Sequence, residues 1–374
     1  MYDVIVVGGS IAGLLCAREI AKNHSVLVVE EDHEIGTPEH CGGLVSRKGL
    51  DSIDVPIQRS ASRVNKARLY APSGKNLEIN SMAQNILQID CRELDKQVAI
   101  QAQENGAEIM VGNKFLKFSN NIVHTSQEDF ECKCMVDARG IQALANNDRE
   151  GFLSSAQYQV YADWIDGETV EIYLDQKLYP GFFAWVIPIG KHVGKVGIAG
   201  KKINAEKTVE KFMESRGKYS IMRKIFAPIW IKGPIKQFVT NNVITIGDAA
   251  GQTKPTTAGG IYSAGMGGIL AGNAIDKFLK SQNSEELNQY KIQWHKMFGA
   301  EFEKQFLGRK ILEKLDNSTI DSLFSAISPE MIQDMAKSED FDFHSGMLIK
   351  MLGVKGTFKI AQMLLGSEFK KLLK

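Results

Sequence analysis

The chain has 374 residues, 44% of them apolar and 24% charged, an ordinary globular composition with enough length for two or three associated domains. Its 45 basic and 44 acidic side chains leave a net charge of +1, so there is no field for gripping nucleic acid, and a nucleic-acid role is disfavoured. No apolar stretch approaches the roughly 20 residues needed to cross a bilayer, and no cationic leader precedes the first apolar run, so a cytoplasmic location is expected.

Residues 2–30 read as strand, glycine turn, helix and strand, which together make one βαβ unit. A hairpin-like stretch follows from Lys66 to Asn80 with a turn at Pro72-Ser73-Gly74, then a strand over Ile86 to Ile89 and a helix from about Arg92 to Asn105. The segments near 107–111, 114–118, 121–125 and 130–137 read as antiparallel or edge strands, with Asn120-Asn121 as a hairpin turn. Residues 155–200 alternate with a period of two, broken at Pro180-Gly181 and at Pro188, which predicts a separate antiparallel sheet forming a ligand-facing layer. A helix from Ala205 to Ser215, a buried strand from Asn242 to Ile246 and a glycine-rich helix from about Thr257 to Leu279 then return the chain to the unit in which it began. Everything after about Ser284 is polar and helical in pattern. Five cysteines at irregular spacing, Cys16, Cys41, Cys91, Cys132 and Cys134, argue against a disulfide framework, and no spacing suits zinc, so no metal is expected.

The first chemical motif is Gly8, Ser10 and Gly13, with Ile11 and Ala12 opening the helix and Glu30-Glu31 closing the second strand. Gly8 permits a tight turn, Gly13 lets helix and strand approach, and the helix N-terminus directs free N–H groups and positive dipole at a pyrophosphate. Glu30 lies at the distance where an acid accepts hydrogen bonds from an adenosine ribose. Ser10 stands where the fingerprint has its middle glycine; its backbone N–H remains available.

The second motif, Gly247-Asp248-Ala-Ala-Gly251, lies more than 200 residues later on another strand-to-helix junction, and it points to FAD rather than NAD. Asp248 could accept from the ribitol hydroxyls of an extended cofactor. The following helix carries Gly265, Gly267, Gly268 and Gly272, and each glycine inside a helix costs about 1 kcal/mol relative to alanine, so a close neighbour is required. One reading brings the backbone of Thr257 to Gly260 and Ile261 up to the flavin, N–H groups and dipole favouring the reduced ring; the other is tight packing of helix on sheet.

With Val136-Asp137-Ala138-Arg139-Gly140 between them, these motifs resemble the glutathione-reductase-like FAD superfamily, specifically its hydroxylase-like branch, over most of residues 1–280. Arg139 departs from that branch's pattern while Gly140 keeps it. Three shorter segments resemble archaeal geranylgeranyl reductases: Pro38-Glu39-His40-Cys41-Gly42, Arg92-Glu-Leu-Asp95, and Phe183-Ala-Trp185-Val-Ile187-Pro188-Ile-Gly190, with Ile187 where phenylalanine is common.

The resemblance implies an α/β fold in which a glutathione-reductase-like FAD-binding Rossmann domain (1–66, 84–150 and 238–283) is joined by an antiparallel-sheet substrate domain (67–83 and 151–237) and a C-terminal helical region (284–374). It implies an FAD-dependent reductase that saturates isolated double bonds of geranylgeranyl chains in archaeal membrane-lipid precursors by hydride transfer from reduced flavin. Cys41, Gly42, Arg92, Gly140, Gly247, Gly259 and Gly260 would join the first motif around the cofactor. Phe183, Trp185, Ile187 and Pro188, with Phe182, would line an apolar tunnel for the polyprenyl lipid. Cys41 and His40 are candidates for delivering the proton. The resemblance allows NAD(P)H or a ferredoxin-like electron-carrier protein as external reductant, and no second glycine fingerprint holds a resident nicotinamide. Alternative readings are an FAD monooxygenase or halogenase of the same branch, and a flavin-free prenyl-binding escort. The tail from His344 to Lys374, rich in Lys, Leu and Met, reads either as a helical pair resting on the inner face of an anionic membrane or as an amphipathic cap.

Overall fold

The computed structural model describes residues 1–80, 82, 85–144, 149–338 and 340–345. In the first βαβ unit, β1 (Tyr2–Val7) leads through the glycine turn into α1 (Ile11–Ile20) and out along β2 (Val26–Val29). Val4 to Val7 and Val26 to Val29 are buried on both faces, as unbroken apolar runs in a parallel sheet require. Further on come β3 (Leu44–Ser46), α2 (Arg47–Ser52), β4 (Ser62–Arg63), and the hairpin of β5 (Lys66–Tyr70) and β6 (Asn76–Asn80). Then follow β7 (Ile86–Gln88), α3 (Cys91–Glu104), β8 (Glu108–Met110), β9 (Phe115–Ser119), β10 (Ile122–Thr125) and β11 (Asp129–Asp137).

β11 corrects the edge-strand expectation. Its first half pairs antiparallel with β10, but its second half runs parallel between β1 and β19 (Val243–Thr245), in the middle of the main sheet. The strand carries two patterns: exposure alternates from Asp129 to Lys133, while Cys134 to Asp137 are all buried. The β9–β10 hairpin turns at Asn120-Asn121, both with positive φ (53° and 61°), the backbone that a two-residue turn of matching twist requires. It lays Phe115 and Phe118 against Ile5, Val7, Leu27 and Val29 on one face of the sheet, while α1, α3 and α5 (Ile261–Ser281) cover the other.

The second sheet has the order β16-β12-β15-β14-β13-β5-β6, where β12 is Phe152–Tyr161, β13 Thr169–Tyr173, β14 Ala184–Gly190, β15 Val193–Gly200 and β16 Ser220–Phe226. Two short strands complete the set, β17 (Ile229–Trp230) beside β12 and β18 (Val239–Thr240) beside β19. The second sheet's pairs are antiparallel except β5 with β13. The alternation has a plain consequence. Tyr158, Val160, Ala184, Val186, Val196 and Ile198 pack under α4 (Ala205–Glu214), leaving Gln157, Trp185, Ile187 and Lys195 for the opposite face. Pro188 does not break β14; the strand absorbs it with a register shift before Gly190.

α5 begins at Ile261 rather than Thr257, because residues 254–259 close a loop first. Lys254 N–H donates to the Gly259 carbonyl at 2.9 Å and Ala258 stands at φ 57°, outside the helical range. Within the helix, Gly268 and Gly272 meet another helix and not the sheet. A Cβ on Gly268 would lie 2.2 Å from the Ala12 carbonyl oxygen and one on Gly272 would lie 2.9 Å from that of Cys16, so these glycines let α5 lie directly on α1. The chain continues through α6 (Glu285–Trp294), a π-turn, α7 (Ala300–Leu312), α8 (Asn317–Ala326) and α9 (Pro329–Ser338). α8 and α9 cover the β5–β6 hairpin through Ile320, Phe324 and Ile332. Arg309 of α7, fully buried, donates to the Gly181 carbonyl at 2.7 Å and the Pro255 carbonyl at 3.3 Å, tying the helical region to both sheets' loops. Among the described residues no helix is long and apolar enough to cross a membrane. Of the Lys- and Leu-rich tail, His344 and Ser345 are described; the rest, and with it the membrane-contact expectation, lies outside the described residues.

Candidate cofactor and substrate site

Three loops distant in sequence meet at the start of α1. Gly8 turns at φ 112°, and a Cβ there would lie 2.3 Å from the Ala138 carbonyl oxygen. A Cβ on Gly13 would lie 2.0 Å from the Gly8 carbonyl oxygen and 3.2 Å from Ala138 Cβ. A Cβ on Gly247 would lie 2.9 Å from Ala12 Cβ, so the Gly8–Gly13, Val136–Gly140 and Gly247–Gly251 turns form one cradle.

The acids around it are differently placed. Glu30 accepts from Gly9 N–H at 2.6 Å and Asp32 N–H at 3.0 Å, and burial raises its pKa. Each of its oxygens keeps a lone pair for a ribose hydroxyl. Glu31 accepts from Gln142 Nε2 at 2.7 Å, beside the open space at Gly140. Asp248 has its carboxyl pushed up to about 6 by burial alone, and its Oδ1 lies 3.5 Å from where a Cβ on Gly260 would stand, at the N-terminus of α5 ahead of Ile261. A half-buried carboxylate facing a helix start is suited to accept from polyol hydroxyls. Arg92 pairs with its own helix cap, Asp90, at 2.8 Å, and remains half exposed beside the Gly36 turn. Arg139 pairs with Asp137 at 2.7 Å and lies over Phe115.

Ser10 is exposed and its side chain does not cap α1. Close to Ser10 and Ile11 lies Asp95, whose pKa burial raises well above the carboxylate range, with the charges of Cys41 and Glu30 adding to the effect. Asp95 was visible in the Arg-x-x-Asp segment but was not assigned to the site.

The residues expected to line the lipid tunnel lie on the free face of the second sheet. Trp185 donates from Nε1 to Gln157 Oε1 at 3.0 Å and lies across Gly197, where a Cβ would come within 2.3 Å of the indole. Ile187 and Pro188 are buried, and Phe183 stacks on Phe182 at 4.0 Å. A Cβ on Gly42 would lie 2.8 Å from Ile187 Cδ1, which seats the Cys41-Gly42 turn on this face. His40 is exposed, and its carbonyl accepts from Gln157 Nε2 at 3.5 Å.

Cys41 and Cys91 are free thiols in hydrogen-bond contact; the bond from Cys91 holds the Cys41 thiol below its ordinary range, and the same contact raises Cys91. Gly43 N–H adds a hydrogen bond to Cys41 Sγ at 3.3 Å. Beside them lies a charge network absent from the sequence expectations. Lys195 Nζ donates to Glu39 Oε1 at 2.6 Å and to the Cys41 carbonyl at 2.9 Å, and Glu39 also accepts from Cys91 N–H at 3.2 Å and Arg223 at 3.4 Å. The sequence did hold a signal: Lys195 is the one charge in the otherwise apolar Val193–Gly200, and a buried charge needs a partner.

The cradle, the acids beside it and the two-sheet fold define a flavoprotein of the glutathione-reductase-like class, and the carboxylate acceptors Glu30 and Asp248 fit the hydroxyls of FAD. The pattern of the NAD(P)-binding Rossmann-like domain matches residues 6–58. An uncharacterised protein of Methanocaldococcus jannaschii is 30% identical over 94% of this chain and 95% of its own length. Digeranylgeranylglycerophospholipid reductase 2 of Methanothermobacter thermautotrophicus is 28% identical over 90% of this chain and 94% of its own. Among solved structures, a geranylgeranyl bacteriochlorophyll reductase-like protein of Thermoplasma acidophilum superposes with a TM-score of 0.84, at 22% identity, over 97% of this chain and 98% of its own. The flavin-dependent brominase Bmp2 shares the fold at a TM-score of 0.70 and 16% identity over 99% of each chain. The chain belongs to the geranylgeranyl reductase family of FAD-dependent oxidoreductases.

Proposed function

We propose that this protein saturates isolated double bonds of geranylgeranyl chains in archaeal membrane-lipid precursors. The observation that carries the reading is the contact of Gly42 with Ile187, which joins the Cys41 turn to the Phe183–Pro188 strand beside the cofactor cradle. The relatives named for digeranylgeranylglycerophospholipid support the substrate class. FAD, when bound, supplies the hydride.

The chain's own residues have two tasks. An isolated alkene has no carbonyl to take up charge, so a proton must arrive at the second carbon from a donor already in place. Cys41 is that candidate, with His40 or a water beside it as the alternative source. Lys195, itself held by Glu39, donates to the Cys41 carbonyl and so fixes the turn. Trp185, Ile187 and Phe183 offer an apolar wall along which a polyprenyl chain can lie without leaving polar groups unpaired. The electrons entering the flavin come from NAD(P)H or a ferredoxin-like carrier docking transiently, and the lipid implies contact with the inner membrane face.

The test is anaerobic mixing of reduced protein with a geranylgeranyl lipid. Recovery of oxidised-flavin absorbance without oxygen supports the reductase; recovery that requires oxygen indicates a monooxygenase or halogenase. A preparation with no flavin absorbance at all would indicate the escort.

A further inference from the structure

A second buried ion pair lies on the other side of the cofactor turn. Lys254, 6% exposed, donates from Nζ to Asp342 Oδ1 at 3.2 Å and to the Phe341 carbonyl at 3.4 Å, and lies over the Phe341 ring at 4.5 Å. Asp342, 7% exposed, also accepts from Ser46 Oγ at the start of α2. Lys254 is the residue whose N–H closes the loop on Gly259, and a Cβ on Gly259 would lie 3.0 Å from its Cε and 3.5 Å from its Nζ. Lys254, Gly259, Gly260, Val45 and Asp342 line one cleft. Phe341 meanwhile packs against the cluster of Val64, Ile86, Val170 and Ile187 that Trp185 also joins, so this segment runs between the cofactor turn and the substrate strand.

Stability does not account for the pair. A buried ion pair replaced by apolar groups of the same volume is often as stable or more so, because desolvation consumes the Coulombic gain. His344, bonded to Thr256 Oγ1 at 2.7 Å, is held well below its ordinary pKa by burial first and by the Lys254 charge second, so it adds no second cation at neutral pH. Lys254 is thus the cation presented at the Gly259–Gly260 turn.

We propose that Lys254 raises the reduction potential of FAD bound at this turn, and that Asp342, carried in by the C-terminal segment, holds that effect in check. The inference rests on the flavoprotein reading above. A fixed positive charge beside the ring favours the reduced, more negative state, and a carboxylate against the same ammonium cancels part of that field. Lys254 acts by charge and position, and Asp342 acts through Lys254.

The experiment is an anaerobic dye-coupled titration of bound FAD in the purified holoprotein and in K254M, K254R and D342N, with thermal unfolding measured alongside. The expected result is a midpoint potential shifted down in K254M, shifted up in D342N, and near the parent value in K254R. A pair serving only to pin the C-terminal segment would lower the unfolding temperature in both K254M and D342N with no opposed shift of potential, and that outcome overturns the proposal. Should K254M fail to retain flavin, D342N decides alone: an unmoved or lowered potential contradicts it. A colourless parent protein would overturn the flavoprotein reading itself, whereas a yellow parent with unmoved variants overturns this inference only.

Discussion

Lys195 and Glu39, 156 residues apart, meet at 2.6 Å with both side chains at most 5% exposed, and join the second sheet to the turn carrying Cys41. Losing Glu39 leaves Lys195 as an uncompensated buried charge, whereas losing Lys195 leaves Glu39 with Arg223 at 3.4 Å. Removing one member of such a pair costs about 3–5 kcal/mol, while replacing both by apolar groups costs far less. E39Q should lower denaturant stability by that order, K195M by less because Arg223 stays beside Glu39, and K195M/E39L should recover much of the E39Q loss. Equal loss in the double variant would show that the pair matters through packing and not through charge.

Cys41→Ser tests the proton donor. A thiol held below its ordinary pKa donates while protonated, so turnover should fall as pH rises through a value nearer neutrality than a free thiol's. The serine variant should turn over more slowly and lose that limb of the pH profile. Unchanged turnover would remove the thiol from the mechanism.

The cradle depends on backbone contact that no side chain can enter. Gly8→Ala places a methyl carbon 2.3 Å from the Ala138 carbonyl oxygen, in a backbone conformation that strains any L-residue. The expected outcome is a folded or partly folded protein purified without flavin absorbance. Gly74→Ala, at a turn with positive φ and nothing within 4 Å, serves as the control: it should cost some stability and leave flavin content intact.

Asp248 gives a pH prediction for the flavin-free protein. Its folded-state pKa, about 6, stands above the ordinary 3.8, so the folded state binds the proton more tightly than the unfolded chain does. The penalty for burying the charge is present in full above pH 6 and is relieved as pH falls from there toward 4. Flavin-free D248N should therefore be more stable than the parent at pH 8, with the difference shrinking toward pH 4, and should bind FAD more weakly. A stability gap that widened on acidification would contradict the assignment.

Gly8 and Gly13 were legible as close-approach positions because a tight strand-to-helix turn is written in a short, local pattern that survives without knowledge of the fold. The glycines of α5 were legible as a demand for close approach, yet three of them, Gly265, Gly268 and Gly272, meet α1, and that partner is fixed only by tertiary packing. β11 misled because one strand serves as a hairpin arm and then as a central parallel strand. Asp95, Lys195–Glu39 and Lys254–Asp342 act through pairings between segments distant in sequence, and isolated charges do not announce their partners. Lys195 was the exception, being a lone charge in an apolar strand.

The most direct test of the central claim is mass spectrometry of a geranylgeranyl lipid after incubation with the reduced holoprotein. The account predicts products heavier by the mass of one hydrogen molecule for each bond saturated. Products that gain oxygen, or lipid returned unchanged while the flavin stays reduced, would contradict it.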